Sequence, residues 1–260
     1  MLSLPRLLLA RSPETEPPRL PVHTDPVRTG YRVGPDCRLL RIRSVTNWSG
    51  GFLMVSGEPD LLRGDSEHLL RQLPAECRAH GAAGVVVNWT QTGRHPAFFP
   101  RLEEALARDG TELWVPEALA AGTENATVLI SSHLSGGTLA GRLEESVSRW
   151  GSRTALALEC DPWLFPLPCP PGTERPLEET HLQRLLKRRR RVWFSESLCA
   201  QYMTCLLEGR LHLALFDNGS SIRRKLELAG HCGLSGALLA WEELAPFAET
   251  VFPAEEVFGV

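Results

Sequence analysis

Short apolar runs spaced by helical segments constrain the fold of this chain more than any other feature. From residue 52 onward eight such runs follow one another: Phe52–Ser56, Gly84–Trp89, Glu112–Val115, Thr127–Ser131, Thr154–Glu159, Val192–Glu196, Leu211–Asp217 and Gly236–Trp241. Runs this short, without clean polar–apolar alternation, suit parallel strands buried on both faces. The intervening segments carry helix signals. Ser66–His80 places Leu69, Leu70, Leu73 and Cys77 on one face and is followed by Gly81, a residue that tolerates the left-handed C-terminal position. Ala97–Asp109 stops at Gly110, Thr138–Trp150 at Gly151, and Ser220–His231 near Gly233, while Leu177–Arg191 starts after Pro176. The link between the third and fourth runs has room for a small helix only.

Strand and helix alternating eight times, with right-handed crossovers, close into a (β/α)₈ barrel of the TIM type. The 260 residues fit one such α/β domain. No GxGxxG follows the first run, so the commonest mark of an open doubly wound sheet is missing. Residues 1–45 hold Pro17, Pro18, Pro21, Pro26 and Pro35 with little periodicity. They are expected to form an irregular N-terminal arm, with a short strand near Cys37–Ile42, outside a barrel spanning 46–260. On that reading, removing residues 1–30 leaves cooperative unfolding intact.

The net charge of −3 gives no electrostatic case for nucleic acid or an anionic membrane. No apolar stretch approaches the ~18–20 residues that span a bilayer. Seven scattered cysteines without metal-type spacing fit free thiols in a reducing cytosol, with no metal or cofactor site expected. The opening Met1–Ala10 faintly resembles a secretory leader, but Pro5 and Arg6 interrupt it and no basic segment precedes it. A cytoplasmic protein is the expectation, and secretion the alternative.

Chemistry in such a barrel sits at the C-terminal ends of the strands. Those ends carry Asn88 and Gln91, Glu117, Ser131–Ser132–His133, Glu159 and Asp161, Glu196, Asp217, and Trp241 with Glu242; Glu58 follows the first run. In Thr154–Asp161, Leu156 and Leu158 face one way, and Ala155, Ala157, Glu159 and Asp161 the other. Small residues suit a crowded barrel interior, so Glu159 is expected to enter the mouth. Partial desolvation there raises a carboxyl pKa and suits a general acid, while an ion pair with arginine is the structural alternative. Glu159, Glu196 and Asp217 are the candidate catalytic carboxylates, although Asp217 also stands where it could cap the next helix. Ser132 and His133 precede a glycine-rich helix start that can hold an anion or polar ligand; no spacing or elbow motif supports a hydrolytic triad. Trp163 lies in a proline- and aromatic-rich rim loop and offers a stacking surface. The basic run Lys187–Arg191 ends a helix, where cations offset the dipole; a patch for an anionic partner is its other reading.

The segment Phe216-Asp-Asn-Gly-Ser-Ser-Ile-Arg-Arg-Lys225, followed by Gly233-Leu-Ser-Gly-Ala-Leu-Leu-Ala-Trp241, resembles the closing helix and last strand of the family 18 glycoside hydrolases. About thirty residues carry the likeness. It implies a TIM barrel in which Trp241 floors the central sugar subsite. The family's signature, a strand-four Asp-x-x-Asp-x-Asp-x-Glu ending in the catalytic acid, is missing. The run Thr127–His133, fourth in order, holds no acid. The nearest look-alike, Ala83-Gly-Val-Val-Val-Asn-Trp-Thr90, has Ala, Val, Asn and Thr at the four acidic places. Two readings therefore stand. One is a carbohydrate-binding barrel, for example for a bacterial cell-wall glycan, with any hydrolysis moved to Glu159, Glu196 or Asp217. Its ligand would meet Trp241, Glu117, Asn88, Ser132, His133 and Trp163. The other is a catalytically inactive barrel that binds a protein partner. Oligomeric state is not legible.

Overall fold

The computed structural model describes residues 6–12, 24–34, 37–41, 48–57, 66–89, 97–134, 136–170, 172–188 and 191–253. Eight parallel strands close into a barrel: β1 (Arg6–Arg11), β2 (Thr24–Val33), β4 (Phe52–Gly57), β5 (Gly84–Trp89), β6 (Glu112–Pro116), β7 (Thr127–Ser131), β8 (Thr154–Ala157) and β14 (Gly236–Ala240). Parallel pairing of β1 with both β14 and β2 completes the ring. A short β3 (Leu39–Arg41) adds antiparallel to β2. The TIM-type fold read from the sequence is therefore present. The sequence reading of Gln91, Thr90 and Glu58, and of part of the Lys187–Arg191 run, falls outside the described residues.

Two strand assignments are corrected. Arg6–Arg11 and Thr24–Val33, expected in a peripheral arm, are the first two barrel strands. Leu7 to Ala10 are all buried, so this apolar run is the same signal as the other eight. Proline-rich flanks masked it. In β2 only Val27, Tyr31 and Val33 are buried, Pro26 lies within the strand, and the register slips between Arg28 and Tyr31 around Gly30. A bulged, half-polar strand has little hydrophobic period to find.

Conversely, Val192–Glu196 and Leu211–Asp217 are not barrel strands. They contribute β11 (Trp193–Ser195) and β13 (Arg210–Phe216) to a separate antiparallel sheet, with β9 (Trp163–Pro166), β10 (Arg175–Pro176) and β12 (Ala200–Leu207), in the order β10-β9-β13-β12-β11. Glu208 and Gly209, both at positive φ, join β12 to β13, the two-residue geometry that hairpins favour. The helix α4 (Glu179–Lys187) covers one face through Leu182 and Leu185 against Met203, Ala214 and Phe216.

The helices match their sequence signals: α1 (Glu67–His80), α2 (Phe98–Ala107), α3 (Leu139–Trp150) with Thr138 accepting from the Gly141 N–H, and α5 (Gly219–His231). Short α6 (Trp241–Leu244) and α7 (Ala248–Val251) end the described chain. Side-chain parity divides the core. Leu8, Ala10, Val27, Phe52, Met54, Val86, Trp114, Leu129 and Ala155 fill the barrel interior. Their neighbours along each strand pack under the helices. At the N-terminal end, Phe52 and Trp114 meet edge to face at 5.9 Å, and Arg6 bridges Asp25 and Glu112. A Cβ on Gly84 would lie 2.2 Å from the Phe52 ring.

Two predictions follow from this packing. Deleting residues 1–33 removes a quarter of the barrel wall and should abolish the cooperative thermal transition; a deletion variant that still melts in one sharp step contradicts the strand assignment. Gly84→Ala overpacks the floor and should cost about 1–3 kcal/mol, a melting-temperature drop of roughly 2–10 °C by calorimetry.

Candidate functional site

The mouth of the barrel is built on the C-terminal ends of β7 and β8. Ala155 and Ala157 face the interior while Leu156 and Leu158 face the helices. The same alternation carries Glu159 to the mouth, as the sequence implied. Ser132 staples the two strand ends: its Oγ accepts from the Glu159 N–H at 3.0 Å, and its own N–H donates to the Ala157 carbonyl at 2.9 Å. Next along the chain, the His133 ring lies against Trp163 of β9 at 4.5 Å and near-parallel to Phe165 at 6.3 Å. The insertion sheet is thereby placed beside the mouth.

The start of α5 supplies the remaining wall. Asn218 and Ser221 form a reciprocal capping box. Asp217, Ser221 and Lys225 follow at four-residue spacing, which puts Ser221 and Lys225 on one helical face below Asp217. Lys225 Nζ donates to Asp217 Oδ2 at 2.6 Å and Ser221 Oγ to Asp217 Oδ1 at 2.7 Å. The two charged side chains are only 4% and 6% exposed. Together Ser132, His133, Glu159, Asp161, Trp163 and Lys225 border a cleft of about 330 Å³ that opens to solvent. Its enclosed part is on the scale of a water molecule, well short of a sugar ring.

The cleft perturbs its titrating groups. Crowding by protein raises the Glu159 carboxyl above the ordinary carboxylate range; Asp161 adds to the rise, and a hydrogen bond from Ser131 and the charge of Lys225 oppose it. Burial likewise raises Glu243, whose carboxylate accepts from the Cys160 N–H at 2.9 Å. His133 is lowered, first by burial and then by Lys225, so the neutral imidazole is favoured. Among the described residues no three His, Cys, Asp or Glu side chains converge as a metal site, and no helix is long and apolar enough to cross a membrane.

The structure brings Ser132, His133, Glu159, Trp163 and Asp217 together around this one cleft. Four other sequence-derived positions fall elsewhere. Glu196 lies exposed in the turn between β11 and β12, in the insertion and not on a barrel strand. Glu117 follows β6 but is bound by Arg142 and by the Trp150 Nε1–H at 3.2 Å, both from α3. Trp241 is 5% exposed and belongs to the outward layer with Ala237 and Leu239. The inward positions of β14 are those in step with Leu238, so Trp241 is one residue out of phase for a subsite floor. Asn88 is exposed at the end of β5, in register with Ser56, which is itself in register with Arg32. Asp217 follows the antiparallel strand β13 and is engaged by Lys225, a partner that the Asp–Ser–Lys spacing signals.

Two stability predictions test this geometry. Lys225→Met leaves a buried carboxylate unpaired and should cost about 3–5 kcal/mol in denaturant unfolding, whereas Lys225→Met with Asp217→Leu should recover most of it. Equal losses in the single and double variants would contradict the buried pair. The second concerns Glu159, whose folded-state pKa is raised, so its ionisation opposes folding and stability falls as pH climbs past the unfolded carboxylate value. Glu159→Gln should therefore raise the melting temperature at neutral pH, with the gain vanishing below about pH 4. A gain that persists in acid would rule out this cause.

No family model and no curated protein matches the chain. Solved structures do match. The spore cortex-lytic enzyme SleL of Bacillus megaterium superposes with a TM-score of 0.66 at 14% identity, over 98% of this chain and 74% of that one. A chitinase from Chromobacterium violaceum gives 0.66 at 14% identity, over 87% and 89%. The chitinase-like agglutinin of Robinia pseudoacacia gives 0.55 at 12% identity, over 87% and 92%. Along most of its length the chain therefore shares the barrel fold of these solved structures.

Proposed function

We propose that this chain binds an amino-sugar polymer of the cell-wall or chitin type across the barrel mouth without hydrolysing it by the usual family route. The fourth barrel strand carries the argument. Counting β1 and β2, that strand is β5, which lies within the sequence Ala83–Thr90 whose acidic places hold Ala, Val, Asn and Thr; Thr90 itself is outside the described residues. Val86 is fully buried in the interior cluster. Asn88 reaches the mouth, but an amide can hydrogen-bond a sugar and cannot transfer a proton. The mouth around it is polar, with Arg32 and Ser56 exposed beside Asn88. Similar barrels occur in proteins named as chitinases and in one named as an agglutinin, which supports a glycan ligand with or without turnover.

A second reading keeps hydrolysis with Glu159 as the acid, favoured by its raised pKa at the mouth. Of its two suggested partner carboxylates, Asp217 is tied to Lys225 and Glu196 lies in the insertion, which leaves Asp161, in the same cleft, as the carboxylate that this reading would need for a nucleophile or base.

Titration calorimetry with N-acetylglucosamine tetramer, with reducing ends assayed in parallel, separates the two. The proposal expects saturable binding, no new reducing ends, and an Asn88→Ala loss of about two- to tenfold in affinity. Turnover that falls about 10²-fold or more in Glu159→Gln would overturn it in favour of the second reading. Turnover untouched by that change would sink both.

A further inference from the structure

The cleft beside the mouth contains two buried polar groups whose hydrogen-bonding capacity is unfilled. The Lys225 ammonium carries three N–H donors and, among the described residues, makes one hydrogen bond, to Asp217. Its side chain is 4% exposed, so the others have little water to turn to. His133 Nε2 is buried and without a partner among the described residues, although the ring is fixed by Trp163. Buried donors and acceptors in native proteins are almost always satisfied, and an unsatisfied one points to a missing water, ion or ligand. Both residues border the same narrow space.

The charge and size of that space select what enters it. Glu159, Asp161 and Asp217 line it together with one ammonium. A ligand anion would meet three carboxyl groups against one cation, and a ligand cation would meet Lys225 at the same point. A neutral group that both donates and accepts fits the complement. The enclosed part holds an oxygen and not a ring, while Trp163, Leu198 and Leu215 offer apolar wall for the carbon that bears it. On a pyranose, the exocyclic hydroxymethyl is the arm that reaches furthest from the ring.

We propose that this cleft seats one sugar hydroxymethyl arm, with Lys225 donating to its oxygen and its hydroxyl hydrogen directed to His133 Nε2 or Asp217. This rests on the glycan-binding reading and adds the residues that select the ligand. Lys225→Met risks the fold, so the primary variant is His133→Phe, which keeps an aromatic ring against Trp163 and removes the nitrogen. The probes are N-acetylglucosamine tetramer and the same tetramer deoxygenated at every hydroxymethyl. Calorimetry on the full chain should show the native tetramer bound about tenfold tighter, a preference that His133→Phe reduces severalfold while leaving affinity for the deoxy probe unchanged. Equal affinity for the two probes overturns the hydroxymethyl seat and leaves the glycan reading standing. If neither probe binds, the glycan reading fails. The seat is then judged by glycerol titration read at the His133 ring resonances: a saturable shift in the native chain supports it. No shift means that a structural water alone fills the space, and overturns it.

Discussion

Everything in this molecule depends on the pairing of β1 with both β2 and β14. A parallel sheet left open there would expose two edges and the interior face behind them, and ring closure removes both. Leu8, Ala10 and Val27 from the two N-terminal strands fill the same interior as Phe52, Trp114 and Leu129, so closure and core formation are one event. The Arg6 bridges to Asp25 and Glu112 sit at the floor but stay more than a third exposed. Screened pairs of that kind add little; backbone pairing and apolar burial carry the closure. Once the ring is shut, the order of the strands decides which residues share the mouth.

That ordering explains what was and was not legible. Six of the barrel strands announce themselves because both faces are buried and the runs are continuously apolar. β1 announces itself equally, in Leu7–Ala10, but proline-rich neighbours drew it into an apparent arm. β2 could not be found by period: a proline, a bulge and alternating arginines break it. The insertion strands imitated barrel strands because a half-buried antiparallel strand such as Leu211–Phe216 looks much like a short parallel one when isolated from its partner. Two missed strands and two surplus ones cancelled in number, so the count of eight was right while its numbering was off by two.

The numbering error had a chemical consequence. With two N-terminal strands added, β5 and not Thr127–Ser131 is the fourth barrel strand. The segment that the sequence resemblance singled out as the nearest acid-free look-alike thus overlaps the fourth strand. Parity gave Glu159 correctly because alanines and leucines alternate strictly along β8. Trp241 came from the family resemblance and not from parity, and parity along β14 sets it with Ala237 and Leu239 in the outer layer. The Lys225–Asp217 pair was legible only as helical spacing. Its partners His133 and Trp163 come from elements about fifty residues or more away in the chain, and no local pattern could unite them.

A crystal structure of the chain soaked with N-acetylglucosamine tetramer tests the central claim most directly. The account predicts an intact tetramer lying across the mouth beside Asn88. Cleaved sugar in the density, or an empty mouth at saturating ligand with the tetramer bound elsewhere or not at all, would contradict it.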